Sequence, residues 1–229
     1  MKKSVRKVVK NLLEQVDSEY FDRLAAISIL RDKFSVVRDL PQFSRREELW
    51  AEVFNHFKDQ SVSVLEFGCW EGYSIKKFAE LNSLESSGFF GFDSFEGLPE
   101  YWTSHNPKGK FNVQGQLPAT DDQRISFIKG WFQNTLSTFL KDHELHDTLF
   151  VHYDADLFSA TLYVMLEIDR LKKPYFAVFD EFTGHESQAL WRYIQMSGAQ
   201  IEFMGSVGDR SYPTQVSCKI TPVTEYQPQ

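Results

Sequence analysis

The sequence predicts an α/β protein built on a doubly wound, mostly parallel sheet. Three observations lead to this fold. Short apolar runs alternate with helical patterns from about residue 60 onward. Several of these runs end in glycine or an acid, as strands do where open α/β sheets bind ligands. No convincing helical pattern separates the last two runs, so we expect them to form an antiparallel hairpin.

The composition is that of an ordinary globular chain. Its 229 residues are 42% hydrophobic and 25% charged, which excludes a disordered, collagen-like or coiled-coil protein. The net charge of −7 makes the chain a poor general binder of phosphate backbones, so we expect no nucleic-acid partner. Two cysteines do not form a disulfide framework, which fits a reducing compartment.

The sequence indicates neither export nor a membrane anchor. No stretch approaches the roughly 20 apolar residues of a membrane-spanning helix. The basic N-terminus is not followed by the apolar run of a secretory signal, and its lysines and arginines fit the solvated face of a helix. We therefore predict a cytoplasmic protein with no membrane partner.

The first 60 residues have a helical pattern. Apolar residues between Val5 and Val16 recur at three- and four-residue spacing and predict a first helix. A second helix is expected from Glu19 to about Arg38, and the Ser44–Glu47 spacing predicts the capping box of a third. We thus divide the chain into a helical extension (1–60), a sheet domain (61–222) and a tail (223–229).

The sheet domain contains seven predicted strands. They are Val62–Phe67, Gly88–Asp93, Ile125–Lys129, Thr148–Asp154, Tyr175–Asp180, Ile201–Val207 and Gln215–Ile220. Helices are expected near Tyr73–Leu84, Gln133–Asp142, Phe158–Leu171 and His185–Met196. Because the carboxyl ends of parallel strands share one edge of a sheet, the residues that follow these strands are the candidates for a site.

The first two strand ends suggest a nucleoside site. The first is followed by a short glycine turn, in which Gly68 allows close backbone approach and Gly72 begins a helix. This turn lacks the full spacing of dinucleotide-binding sites. Asp93, at the end of the second strand, can accept hydrogen bonds from both ribose hydroxyls. Together these signals favour an adenosyl nucleoside, although a plain tight turn and a helix-capping aspartate would give the same residues.

Later strand ends add aromatic and acidic side chains. Trp131 follows Gly130 and offers either a surface for adenine or a core side chain. Asp154, Asp180 and Glu181 follow the fourth and fifth strands, and three neighbouring carboxylates repel one another unless a cation holds them. Their oxygen ligands suit Mg²⁺. Helix caps and solvent-facing acids are the alternative.

Five strings occur in the order of a known family. They are G-C-W-E-G-Y-S (68–74), F-G-F-D-S-F-E-G-L-P (90–99), K-G-W-F-Q-N-T-L (129–136), D-A-D-L-F-S-A-T (154–161) and D-E-F (180–182). The chain resembles, over about residues 62–195, the macrocin O-methyltransferase family, whose members methylate sugar hydroxyls of macrolide and aminocoumarin antibiotics. The resemblance implies a class I methyltransferase fold, S-adenosylmethionine (SAM) as methyl donor, and Mg²⁺.

The resemblance also assigns residues. It implies metal ligation by Asp154, Asp180 and Glu181, and a catalytic position for Asp154. It implies cofactor binding by Glu66, Gly68, Gly72, Ser74, Asp93, Ser94, Gly130 and Trp131. The family usually ends its fifth strand Asp-Asp-Tyr, whereas this chain has Asp180-Glu181-Phe182. We therefore expect methyl transfer to a hydroxyl of a sugar or similar small-molecule acceptor.

Several alternatives stay open at the level of sequence. A nicotinamide-dependent sugar oxidoreductase, a metal-dependent hydrolase and a non-catalytic nucleoside-binding module fit parts of the pattern, and a homo-oligomer is also compatible with it. The general base could be Asp154 or one of His105, His152 and His185, which the sequence does not rank. The long polar segment Pro99–Asp122 is interpreted as a lid over the acceptor, with a passive insertion as the alternative.

Overall fold

The computed structural model describes residues 18–225. Its α-helices are α1 (Ser18–Asp32), α2 (Arg46–Asn55), α3 (Tyr73–Leu81), α4 (Phe132–Asp142), α5 (Phe158–Asp169) and α6 (Ser187–Ser197). Its strands are β1 (Gln42–Phe43), β2 (Val62–Phe67), β3 (Gly88–Asp93), β4 (Ile125–Lys129), β5 (Thr148–Tyr153), β6 (Tyr175–Phe179), β7 (Gln200–Asp209) and β8 (Tyr212–Thr221). A short 3₁₀ helix covers Ser35–Asp39, and a π-helical turn covers Phe182–Glu186.

The strands form one twisted sheet in the order β1-β7-β8-β6-β5-β2-β3-β4. All neighbours are parallel except the pairs that β8 makes with β6 and β7. The predicted α/β fold, mostly parallel with a C-terminal antiparallel hairpin, is therefore confirmed. Strand order reverses between β2 and β5, and in open sheets such a switch point opens a crevice at the carboxyl ends.

Helices cover both faces of the sheet, so the central strands are buried on both sides. All six residues of β2 are buried, as expected for a parallel strand between two helical layers. One layer, built on α2 and α3, contains Trp50, Phe54, Phe78, Val64 and Phe150. The other, built on α4 to α6, contains Phe67, Leu136, Tyr153, Ile168 and Leu190.

A strand and a helix end in the N-terminal part of the described chain differ from the prediction. Gln42 and Phe43 add an eighth strand, which pairs in parallel with β7. Two residues are too few for a periodic signal. The second helix ends at Asp32 instead of at about Arg38, and the 3₁₀ helix Ser35–Asp39 follows it. The first predicted helix lies outside the described residues.

The third helix begins later than Ser44 because its capping box is shifted by one residue. Arg45 is the N-cap, and Glu48 accepts hydrogen bonds from the backbone N–H groups of Ser44 and Arg45 at 3.1 and 3.3 Å. This places Trp50 and Phe54 in the core of the sheet. The division at residue 60 stays a prediction. Among residues 18–225, no helix is both long and apolar enough to cross a membrane.

Candidate functional site

A cavity of about 310 Å³ opens at the carboxyl ends of the parallel strands. Five strand ends contribute to its walls, so the topology brings together residues that lie far apart in the sequence. Seven of the predicted site residues line it: Gly68, Asp93, Ser94, Trp131, Asp154, Asp180 and Glu181. The lining does not include Glu66, Gly72, Ser74 and Gly130.

The glycine turn after β2 is shaped by contacts within the protein. Gly68 has φ +96°, and a Cβ there would lie 1.9 Å from the carbonyl oxygen of Asp154. Gly72 has φ +73°, and its Cβ would lie 2.9 Å from Cβ of Pro118. The two glycines thus allow the next strand end and the long loop to approach the turn closely. This approach explains both glycines without a ligand.

Asp93 ties the end of β3 to that turn. One carboxylate oxygen accepts hydrogen bonds from the backbone N–H groups of Cys69 and Trp70, both at 2.9 Å. The other accepts from Phe95 at 2.7 Å. A carboxylate offers about four acceptor sites. Asp93 therefore organises the cavity wall and keeps some acceptor capacity for a ligand.

The turn also contains a buried cysteine. The Sγ of Cys69 lies 3.6 Å from the carbonyl oxygen of Phe92 and 3.8 Å from that of Glu66. Burial, followed by the nearby carboxylates of Glu66 and Asp93, raises the pKa of this thiol well above its usual value. Cys218, in β8, is also buried. Neither thiol is placed for nucleophilic chemistry.

The segment interpreted as a lid forms one wall of the cavity. Pro99, Trp102 and Phe111 of this segment line the cavity together with the preceding Leu98, and the ring of Phe111 meets Trp70 edge-on at 5.8 Å. Backbone hydrogen bonds from Gly109 to Leu98 and from Leu98 to Lys110, both 2.9 Å, fold the segment onto its own base. The segment is therefore an ordered wall, whereas its opening and closing stay a prediction.

Acidic side chains converge on the opposite wall. Burial, then the carboxylates of Asp180 and Asp156, raises the pKa of Asp154 well above its usual value. Burial and Glu181 raise the pKa of Asp156 to about 7. Behind them, Glu186 is fully buried, and its pKa is also raised by burial and by Asp180. Among the residues lining the cavity, Arg46 is the basic one. The site therefore favours a cation.

His152 faces this acidic wall from β5. Its Nδ1 lies 2.9 Å from Oε1 of Glu66, and its Nε2 lies 3.9 Å from Oδ1 of Asp180 without a hydrogen-bond partner. Donor atoms of His152, Asp154 and Asp180 all lie within 4.8 Å of one another. Glu66 thus lies beneath the cavity as the partner of His152, and Glu181 is outside this convergent group.

Asp180 is held by a second buried chain of hydrogen bonds. The side-chain amide of Gln215 donates to Asp180, and the indole N–H of Trp50 donates to Oε1 of Gln215 at 3.1 Å. Sequence reasoning missed Gln215 and Trp50 as site residues. Gln215 lies on the antiparallel strand β8, so no strand-end rule indicates it. For the histidine, the available signal was the alternation along β5, which places His152 on the same side as Asp154, the residue just after the strand.

The fold is similar to those of solved methyltransferase structures. One is CalS11, a calicheamicin methyltransferase, with 19% identity, 88% of this chain and 93% of that chain covered, and a TM-score of 0.57. Another is an O-methyltransferase from Bacillus cereus in complex with SAH, with 14% identity, coverages of 95% and 97%, and a TM-score of 0.53. The chain has the class I methyltransferase fold.

At these low sequence identities, the structural similarity shows the fold alone. No protein-family model matches the chain, and no curated protein does. The narrower resemblance to the macrocin family therefore stays a prediction. An apo structure of CalS11, described as a TDP-rhamnose 3'-O-methyltransferase, is 17% identical with a TM-score of 0.50, and covers 94% of this chain and 93% of that chain.

Proposed function

We propose that the protein is a SAM-dependent O-methyltransferase that methylates a hydroxyl of a sugar or similar diol-bearing small molecule. The observation that supports the proposal is that one cavity has two different walls. The wall at the ends of β3 and β4 offers groups suited to a nucleoside, and the wall at the ends of β5 and β6 is acidic. A class I methyltransferase places its donor and its acceptor at this edge of the sheet. A site that binds only an uncharged ligand would not need the acidic wall.

The donor half of the cavity would hold the adenosyl group. Asp93 has remaining acceptor capacity for ribose hydroxyls, and Trp131 offers a flat surface for the adenine. Ser94 positions the loop between them, because its hydroxyl accepts from the N–H of Glu96 at 3.1 Å and donates to Gly97 at 3.3 Å. SAM would supply a methyl group on a positively charged sulfur, which an acidic cavity stabilises.

The acceptor half would hold a divalent cation at Asp154 and Asp180. The raised pKa of Asp154 and the orphaned Nε2 of His152 fit a cation at this position. A bound cation lowers the pKa of a coordinated hydroxyl and thereby makes it a better nucleophile. Mg²⁺ with Glu181 as third ligand stays the prediction from the family resemblance.

Asp156 is the carboxylate placed to take the hydroxyl proton. It lines the cavity two residues after Asp154, and a carboxylate there can act as the general base. The loop residues Leu98 and Trp102 cover the same side of the cavity and would exclude water from it. Alignment of donor and acceptor would then supply most of the rate.

The decisive experiment separates this proposal from the oxidoreductase and binding-module alternatives. Calorimetry should detect SAM binding and no binding of nicotinamide dinucleotides. Incubation with labelled SAM and a panel of nucleotide sugars and glycosides should transfer label to an acceptor, and a chelator should stop the transfer. Tight nicotinamide binding would favour the oxidoreductase. SAM binding without transfer across the panel would favour the binding module.

A further inference from the structure

We propose that His152 is the third protein ligand of the cation at Asp154 and Asp180, and that the site is therefore built for a transition metal such as Mn²⁺ rather than for Mg²⁺. This inference rests on the proposed function, because it names the ligands of the cation proposed there. The donor set would be one imidazole nitrogen and two carboxylates.

The Nε2 nitrogen of His152 is buried without a partner. His152 is 0% exposed, and its Nε2 has no hydrogen-bond partner. Leaving a buried polar atom unpaired destabilises the fold, so such atoms are rare unless something occupies the position they face. The atom faces Oδ1 of Asp180 at 3.9 Å. Two ligands at about 2.1 Å from one ion lie at most about 4.2 Å apart, and this pair is already within that limit.

Glu66 orients the imidazole of His152. Glu66 is 0% exposed, and its carboxylate lies 2.9 Å from Nδ1 of His152. An ionised carboxylate only accepts hydrogen bonds, so Nδ1 donates, and in the neutral imidazole that binds a metal Nε2 turns its lone pair toward the acidic wall. Metal-binding histidines almost always donate their other N–H to a carboxylate, a carbonyl or water. Glu66 fills that position.

Buried neighbours hold His152 and Asp180 in place. The His152 ring packs edge-on against Trp50 at 5.7 Å and against Phe78 at 5.1 Å between centroids. Trp50 also holds Gln215, which donates to Asp180. Two of the three ligands are thus fixed by buried partners before any ion arrives, which is how metal sites are oriented by residues that do not touch the metal.

The ligand types decide the class of metal. Mg²⁺ prefers oxygen ligands in near-octahedral geometry, whereas imidazole suits transition metals. Glu181 would complete an all-oxygen site, but its carboxylate is not among the convergent donors, and its backbone N–H is bound by Glu186 at 3.0 Å. The histidine set and the all-oxygen set therefore make opposite predictions.

The test is metal binding to the full-length chain, followed without turnover. Metal-free protein is titrated with Mn²⁺, and pulsed EPR of the bound ion detects a directly coordinated ¹⁴N nucleus. We expect the wild-type protein to give this nitrogen coupling. His152→Gln should lose the coupling and weaken Mn²⁺ at least about tenfold. Glu181→Gln should keep the coupling. Excess Mg²⁺ should displace Mn²⁺ poorly.

Two controls keep the outcome interpretable. His146→Gln removes an imidazole before the opposite end of β5, where Nε2 lies 2.7 Å from the Ser86 carbonyl, and should leave Mn²⁺ binding unchanged. If His152→Gln does not fold, the wild-type nitrogen coupling and a weaker Mn²⁺ affinity in Glu66→Gln decide the question. Bound Mn²⁺ without nitrogen coupling, or no Mn²⁺ binding, would overturn the proposal. SAM binding measured on the same samples tests the methyltransferase proposal separately.

Discussion

Asp93 shows how one carboxylate can serve both structure and ligand. It accepts three backbone hydrogen bonds, which join the end of β3 to the glycine turn after β2. The same side chain lines the cavity. The sequence predicts that an aspartate at this strand end binds ribose. The three backbone hydrogen bonds within the protein are already enough to explain why an aspartate lies here. Substitution will therefore change two measurable quantities.

Asp93→Asn should weaken both SAM binding and the fold. An asparagine amide presents N–H groups on one side, so one or two of the backbone donors lose their acceptor. We expect a loss of about 1–3 kcal/mol in SAM affinity and a comparable loss in the free energy of unfolding. Calorimetry and urea unfolding measure them separately, with the exposed Asp121→Asn as control. Reduced stability with unchanged SAM affinity would confine Asp93 to a structural role.

Arg124 is a second side chain that joins separate parts of the chain. Its guanidinium binds both oxygens of Asp122 and donates to the backbone carbonyls of Ala79, Asn82 and Leu84. The side chain of Asp122 is 30% exposed. Arg124 holds the pKa of Asp122 below its ordinary value. The ionised form of Asp122 therefore stabilises the folded state.

The sign of this effect fixes its pH dependence. A lowered pKa contributes stability above the unfolded value near 3.8, and this stability disappears as the pH falls through the folded value. Asp122→Asn should lower the free energy of unfolding by about 1 kcal/mol at pH 7 and by much less near pH 2. Urea unfolding across this range measures the difference. A constant difference at all pH values would mean that the ion pair does not cause it.

At the scale of elements, the loop between β3 and β4 depends on one glycine. Gly97 has φ +81°, and a Cβ there would lie 2.4 Å from the carbonyl oxygen of Lys110 and 2.6 Å from that of Gly109. Gly109 has φ +82°, but nothing lies within 4 Å of its Cβ position. The two glycines therefore share the same backbone strain and differ in steric contact. They form a matched pair for a test of the cavity wall.

Gly97→Ala should open the loop while the sheet stays folded. Backbone strain of about 1–3 kcal/mol would raise the open population at least about fivefold in either variant, and the clash with the Lys110 carbonyl adds to it only in Gly97→Ala. Proteolysis of a briefly opened segment follows that population. Limited proteolysis within residues 99–122 should be faster in Gly97→Ala than in Gly109→Ala. SAM should slow cleavage if the loop closes over the donor. Equal cleavage of the two variants would show that the contact with Lys110 does not hold the wall.

Elements with strong patterns were predictable, whereas single contacts were not. The bounds of β2, β3 and β4 follow from apolar runs that end in turn residues, and the structure reproduces them. Strand β1 was missed because a strand of two residues is too short to show an alternation of apolar and polar side chains. Trp50 and Gln215 were missed because their hydrogen bond joins positions 165 residues apart. The placement of Glu66 under His152 depends on the register of β2 and β5, which sequence alone does not give.

In the molecule as a whole, helix α2 and the residues just after it belong to the core of the sheet. Trp50, Val53, Phe54 and Phe57 are each at most 2% exposed and pack on β2 and β5. Burying one such side chain contributes about 1.5–3 kcal/mol. Four of them together are comparable to the stability of a whole domain, about 5–15 kcal/mol. We therefore expect the fold to need α2, which lies in the part of the chain predicted as the helical extension (1–60).

A chain that begins at residue 61 should fail to fold. It would lose α2 and expose Val62, Val64, Phe78 and Phe150, which line the face that α2 covers. A chain that begins at residue 18 keeps every element described and should keep a cooperative transition. Circular dichroism and binding of a hydrophobic dye compare the two proteins. A cooperative transition in the shorter chain would establish residues 61–222 as an independent domain.

The burial of both thiols makes the chain a convenient host for site-specific labelling. The sequence contains two cysteines, and Cys69 and Cys218 are 4% and 0% exposed. The raised pKa of each further suppresses the thiolate that reacts with maleimides. A cysteine introduced at the exposed Lys108 would therefore be modified selectively without deletion of native residues. A fluorophore attached there would report, in real time, how the wall between β3 and β4 responds to each ligand.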